Sequence, residues 1–213
     1  MREKIVHIGF DLDNTLFKPN ARINEYIRSY ACRQASELLG QSYEQVRSAF
    51  DEQFALLKSF RGSLRAVGIE DATPIVQEAL EQEEIVSLLQ KDEALNAMLV
   101  RLSVRYGLFL ITTNTEKVAL RKLQALGIDA DLFDPKIYEL ENPLYIRRDG
   151  SAFHRVSQLQ SIDLSQMLFV GDRESTDILP AKQLGMMTAI VNAKSSQADY
   201  QLEDIYQLEE ILK

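Results

Sequence analysis

Ile5-Val6-His7-Ile8-Gly9-Phe10-Asp11-Leu12-Asp13-Asn14-Thr15 is the stretch on which the reading of the fold turns. Its first half is almost wholly apolar, and its second half turns abruptly acidic and polar. An apolar run of this length, without alternation, is the pattern of a strand buried on both faces of a parallel sheet. Parallel strands need crossover helices between them. The later sequence supplies them in rhythm, beginning with a strand over 108–112 and a helix over 116–126 closed by Gly127. A short strand at 132–133, a helix over 151–159 and a strand over 167–170 follow. Then come a helix over 175–184 closed by Gly185, a strand over 187–191 and a mostly helical tail over 202–212. Strands alternating with helices predict an α/β fold, a parallel sheet with helices on both faces.

The block between the first strand and residue 90 breaks this rhythm. Ile23, Ile27, Tyr30, Ala31, Ala35 and Leu38 fall at helical spacing and Gly40 ends that run. Ser42 predicts the cap of a second helix reaching Phe60, and Arg61-Gly62-Ser63 reads as a break between helices. Weaker helical signals run over 73–90, and Asp92 opens a helix through Tyr106. The expected organisation is therefore an α/β core from 1–17 and 91–213, with 18–90 inserted as a helical domain.

Composition narrows the class. The 213 residues are 46% hydrophobic and 26% charged, enough apolar chain to bury a core without disulfides. Net charge is -8, which repels a polyanion and argues against nucleic-acid polymers and anionic membranes as partners. The longest stretch free of charged residues is the eleven from Gln183 to Ala193. A membrane span needs about 20. Cys32 is the only cysteine, so no internal disulfide and no paired-cysteine metal site can form, and the cytoplasm is the expected compartment.

Ligands of open parallel sheets bind beyond the carboxyl ends of the strands. Three such ends are chemically distinctive here: Asp11-Leu12-Asp13-Asn14-Thr15, Thr112-Thr113-Asn114-Thr115, and Gly171-Asp172 with Asp177 beyond it. Residues two apart on extended chain face one way. Asp11 and Asp13 can therefore share a site, and Asp172 and Asp177 would bring up to four carboxylates together. Like charges that close hold protons unless a cation intervenes. Oxygen donors without His or Cys favour Mg²⁺. Taken singly, each piece also fits a plain turn, and Thr113 alone fits a helix cap.

Asp11-Leu12-Asp13-Asn14-Thr15, Thr113-Asn114 and Gly171-Asp172-Arg173-Glu174-Ser175-Thr176-Asp177 resemble motifs one, two and four of the haloacid dehalogenase-like hydrolases. The resemblance covers nearly the whole chain and implies a Rossmann-like core with an α-helical cap that closes over substrate. The Asp-Leu-Asp-Asn-Thr-Leu form is similar to pyrimidine 5′-nucleotidase-like members. The resemblance implies Asp11 as nucleophile, and Asp13 as general acid and then base with its backbone carbonyl on the metal. It implies Asp11, Asp13, Asp172 and Asp177 as the Mg²⁺ site, and Thr113 and Asn114 as phosphate-binding. The implied activity is hydrolysis of a small phosphorylated metabolite, with a nucleoside 5′-monophosphate as the lead candidate.

One departure concerns motif three, a lysine ahead of a helix. Arg147-Arg148-Asp149-Gly150-Ser151-Ala152-Phe153 resembles it with Arg147 in the lysine's place, as a catalytic and phosphate-binding cation. Lys136 competes for that role, while Lys182 reads as surface. Two other readings remain open. One is a metal-independent 2-haloacid dehalogenase, against which Asp13 argues because a departing halide needs no proton. The other is a binding protein that kept the fold without catalysis.

Overall fold

A computed structural model describes residues 4–212. The chain forms two compact units, one containing the chain up to Pro19 and from Gln90 onward, the other Asn20–Leu89. In the first unit six strands form one sheet: β1 (His7–Phe10), β2 (Gly107–Thr112), β3 (Phe133–Tyr138), β4 (Met167–Gly171), β5 (Met187–Val191) and β6 (Tyr200–Leu202). Their spatial order is β3-β2-β1-β4-β5-β6, and every neighbouring pair is parallel. With right-handed crossovers, an order that reverses at β1 sends the connecting helices to both faces.

The centre of the sheet follows from side-chain size. Gly9 lies in register with Phe109 on β2 and Phe169 on β4. A Cβ at Gly9 would collide with both rings. Without it, the two rings approach across β1 to 6.1 Å between centroids, and Phe153 meets Phe169 edge-on at 5.0 Å. Phe109, Phe169, Phe153, Ile111 and Val156 make one buried cluster on that face.

The helices of the Asn20–Leu89 unit are α1 (Ala21–Leu39), α2 (Tyr43–Leu57), α3 (Phe60–Ala66), α4 (Thr73–Glu81) and α5 (Glu83–Ser87). Ser42 and Gln45 form a reciprocal capping box at the start of α2. The predicted break at Arg61-Gly62-Ser63 is not there. Lys58 ends α2 in the left-handed region at φ 49°, and the Ser59 hydroxyl accepts from the Gly62 amide at 3.1 Å. Gly62 is thus held in the capped first turn of α3. The helical signal over 73–90 divides at Gln82, whose ψ of 144° is extended. Phe50, Val46, Leu64, Ala31, Ala35 and the Cys32 thiol fill this unit's core.

The first unit continues with α6 (Glu93–Ser103), α7 (Glu116–Leu126), α8 (Ser151–Gln160), α9 (Leu179–Gln183) and α10 (Leu208–Ile211). Two strands differ from expectation. β3 runs from Phe133 to Tyr138, through Pro135 and Lys136, where the sequence reads as a short strand at 132–133 only. It is an edge strand, where a missing backbone N–H is tolerated. β6 adds an unexpected parallel strand beside β5 that meets the tail read as helical only at Leu202, and the tail's helical part is two short turns over Ile205–Gln207 and Leu208–Ile211. The expected helix over 175–184 opens as a wide π turn at Glu174–Ile178 before α9. No helix among the described residues is long and apolar enough to cross a membrane.

Candidate active site

The parallel pairing of β1 with β4 carries past the strand end, because the Asp11 amide donates to the Val170 carbonyl at 3.0 Å. The chain then turns tightly. The Leu12 carbonyl accepts from the amides of Thr15 at 3.3 Å and Leu16 at 3.0 Å, and Asn14 takes the left-handed conformation at φ 58°. The Asn192 side-chain amide fixes this turn by donating to the Asn14 carbonyl at 2.8 Å. After β4, the Arg173 amide and the Thr176 hydroxyl donate to the Asp177 carboxylate at 2.9 and 3.0 Å. A Cβ on Gly171 would collide with the Asp177 carboxyl, so glycine there permits the close approach.

These turns bring Asp11, Asp172 and Asp177 together, each offering an oxygen within 4.8 Å of the others. Asp13 is not part of that cluster of carboxylate oxygens, although four were expected to converge. Its carboxylate is turned to another partner. The ammonium of Lys122 on α7 donates to Asp13 Oδ1 at 2.6 Å and to Asn114 Oδ1 at 3.0 Å, while the Asn114 amide donates to Asp13 Oδ2 at 2.5 Å. Asn114 also donates to the Thr112 hydroxyl at 2.7 Å. Both amide hydrogens of Asn114 are therefore committed, and its expected phosphate contact would have to displace one of them. Thr113 follows the last residue of β2 and is half-buried. The cap of α7 is Thr115, whose hydroxyl accepts from the Val118 amide.

Arg147 is 4% exposed and touches three carboxylates. Its Nη1 donates to Asp11 at 2.7 Å and Asp177 at 2.9 Å. Its Nε and backbone amide donate to Glu139 Oε1 at 3.1 and 2.6 Å, and its Nη2 to Glu139 Oε2 at 3.3 Å. The Lys136 ammonium instead donates to the carbonyls of Ala130 and Phe133, and Lys182 pairs with Asp199. Of these three cations, Arg147 is the one bonded to Asp11.

Glu139 and Lys122 are the members sequence reading missed. Glu139 follows the part of β3 that was not recognised. Lys122 carried a usable signal, because it lies on the buried stripe of α7 with Val118, Ala119, Leu123 and Leu126.

Burial lifts the Asp11 carboxyl well above the usual carboxylate range; Arg147 opposes this while Asp177, Asp172 and Asp13 reinforce it. Burial likewise pushes Asp172 up to about 6, against the pull of Arg173 and with the repulsion of Asp177. Asp13 goes the other way. Burial would raise it, but the charge and hydrogen bond of Lys122 and the hydrogen bond of Asn114 hold it below the ordinary range. The Asp11, Asp172 and Asp177 oxygens are a hard, all-oxygen donor set whose mutual repulsion a small divalent cation would relieve.

A parallel sheet in this order, with carboxylates gathered at the ends of β1 and β4 where the winding reverses, defines a doubly wound α/β protein with its site at the topological switch point. A family model for haloacid dehalogenase-like hydrolases matches residues 5–185, and the chain belongs to that family. Solved structures similar to it include a phosphatase of this superfamily from Thermococcus onnurineus, at 22% identity over 98% of both chains with a TM-score of 0.70. Another is a 2-haloacid dehalogenase from Pseudomonas syringae pv. Tomato DC3000, at 22% identity over 98% of both chains with a TM-score of 0.60. A third, described as a predicted phosphoglycolate phosphatase from Haemophilus somnus 129pt, has 18% identity over 98% of both chains and a TM-score of 0.62. At these identities the likeness is one of fold. No curated protein matches the chain.

Proposed function

We propose that the protein is a Mg²⁺-dependent phosphomonoesterase acting on a small phosphorylated metabolite, with a nucleoside 5′-monophosphate as the first candidate. The observation that carries this reading is the pair of carboxylates at Asp11 and Asp13, one bonded to Arg147 and the other to Lys122 and Asn114. Asp11 attacks phosphorus while the ester P–O bond breaks. The departing alcohol oxygen keeps the bonding electrons and takes a proton from Asp13. An arriving phosphate favours that protonated form of Asp13, because it adds negative charge beside it. Asp13, now a carboxylate, then removes a proton from water as the water oxygen attacks the phosphorus of the Asp11 acyl phosphate. Inorganic phosphate leaves, and the electrons of the broken bond return to Asp11. Arg147 draws Asp11 toward its ionised form and offsets charge on the transferring group, and the Thr113 hydroxyl donates to a phosphoryl oxygen. Asp11, Asp172 and Asp177 would hold Mg²⁺, which supplies further charge neutralisation.

Phosphate and halide release, measured with Mg²⁺ and with chelator, separates this reading from a metal-independent dehalogenase and from a binding protein. Phosphate release only with Mg²⁺ is expected. Halide release in chelator, or neither product from any substrate, would overturn the reading. In a metabolite panel, nucleoside 5′-monophosphates should be turned over with the highest kcat/KM. Greater efficiency on sugar phosphates or phosphoglycolate would displace the nucleotide and leave the phosphatase reading standing.

Mg²⁺ should also stabilise the fold more strongly as pH rises. Protons compete with the ion for Asp11 and Asp172. In the metal-free protein the raised Asp172 stabilises fully below its unfolded value of 3.8, and that contribution is lost as pH climbs through about 6. Mg²⁺ reverses that loss by binding the ionised form. The Mg²⁺-induced rise in Tm should therefore grow across this window in calorimetry, and a flat response would sink the assignment of these ligands.

A further inference from the structure

We propose that Lys122 is a positioning residue that holds the Asp13 carboxyl in the orientation needed for proton transfer to the leaving oxygen, an inference resting on the role given to Asp13 above. The Lys122 side chain is 1% exposed, whereas that of Asp13 is 31% exposed. The carboxyl is thus tethered from behind by an interior cation and remains open in front. A buried ammonium is costly to keep and is rarely found without a dedicated partner. Its partners here are Asp13 Oδ1 and Asn114 Oδ1, and Asn114 in turn holds Asp13 Oδ2.

The closed triangle of Lys122, Asn114 and Asp13 engages both carboxyl oxygens from the protein side. Rotation of the carboxyl about its own bond would break two hydrogen bonds together. Thr112, at the end of β2, anchors Asn114 and so joins the triangle to the sheet. Lys122 itself lies behind Asp13 on the buried stripe of α7, so it acts through Asp13 and not on the reacting atoms.

A positioned proton donor matters in proportion to how badly the leaving group needs a proton. Alkoxides need one to depart; 2,4-dinitrophenolate departs without it. Lys122→Met in the full chain with Mg²⁺ should lower the single-turnover rate of nucleoside release from an alkyl ester, uridine 5′-monophosphate, by about a hundredfold. It should change the first-turnover rate of dinitrophenolate release from 2,4-dinitrophenyl phosphate little. Asp13→Asn should show the same selective loss in this first step, while steady-state phosphate release slows for both esters because the second step loses its base; adding Lys122→Met should cost the first step little more, because the two act as a unit.

The arms separate the two ideas. If Asp13→Asn slows dinitrophenolate release as much as nucleoside release in the first turnover, the proposed proton-transfer role fails. If Asp13→Asn is selective in the first turnover but Lys122→Met slows both leaving groups equally, or neither, Lys122 does not position Asp13. Native protein that hydrolyses neither ester sinks the phosphatase reading. Lys122→Gln, which keeps a donor on the same face, should fall between wild type and Lys122→Met on the alkyl ester. Failure of both variants to fold, seen in thermal melts, would make Lys122 purely structural and overturn the inference.

Discussion

Asp11→Asn is expected to leave a folded protein with phosphatase turnover reduced by at least about 10⁴-fold, the scale of removing a covalent nucleophile. An amide cannot form the acyl-phosphate. The fold has reason to tolerate the change. Asp11 is buried, and its charge is repelled by Asp177, Asp172 and Asp13. A neutral amide removes that repulsion. Arg147 keeps its bonds to Asp177 and Glu139. Metal-free Asp11→Asn should therefore melt no lower than metal-free wild type, while its phosphate release with Mg²⁺ falls to background. The two readings together isolate chemistry from stability, because an inactive variant that still melts cooperatively has lost a reacting group. Turnover surviving in a sample verified by mass spectrometry would remove Asp11 from the nucleophile's role.

How much of this was legible beforehand depended on whether a residue's surroundings are local in sequence. β1, β2, β4 and β5 read as strands because central parallel strands are apolar on both faces, and turn residues bound them. β3 was cut short because Pro135 and Lys136 sit in an edge strand, where only one side must be paired. β6 is three residues long and has no periodicity to detect. The convergence of Asp11, Asp172 and Asp177 followed from strand ends, which topology brings together. Arg147 came only from its likeness to a family motif, since nothing in a loop arginine's own sequence says that it turns inward. Lys122 and Glu139 were hidden for a related reason. Charged residues on helices and after strands usually face water, and the reward for burying them lies in partners that local periodicity does not reveal: Asp13, 109 positions away, for Lys122, and Arg147, across a loop, for Glu139. The break expected at Gly62 follows from glycine's poor helix propensity, which the cap that Ser59 provides overrides.

Arg147→Ala should lower kcat/KM by about a hundredfold or more, the loss expected on removing one preorganised charge-stabilising group of 2–4 kcal/mol, roughly. Stability should fall as well. The substitution leaves Asp11, Asp177 and Glu139 buried without their shared cation, and breaking a buried ion pair typically costs about 3–5 kcal/mol. Kinetics must therefore be taken well below the variant's own Tm. Mg²⁺ will recover part of the stability, since it relieves two of the three carboxylates, but it cannot replace the donor near Asp11. Arg147→Lys tests whether charge alone suffices. A lysine restores one cation at Asp11 but has no planar fork. It cannot span Asp11 and Asp177 through one nitrogen while holding Glu139 through two others, as the guanidinium does. Partial recovery of kcat/KM is the expected result. Lys136→Ala should stay near wild type, because Lys136 serves the carbonyls of Ala130 and Phe133 and not a carboxylate of the site. Arg148→Ala should do the same, since Arg148 is exposed. A wild-type Arg147→Ala beside a collapsed Lys136→Ala or Arg148→Ala would move the cationic role elsewhere. Retention of Asp11 as nucleophile would then require another group to keep it ionised in a site that burial and three neighbouring carboxylates bias toward the proton.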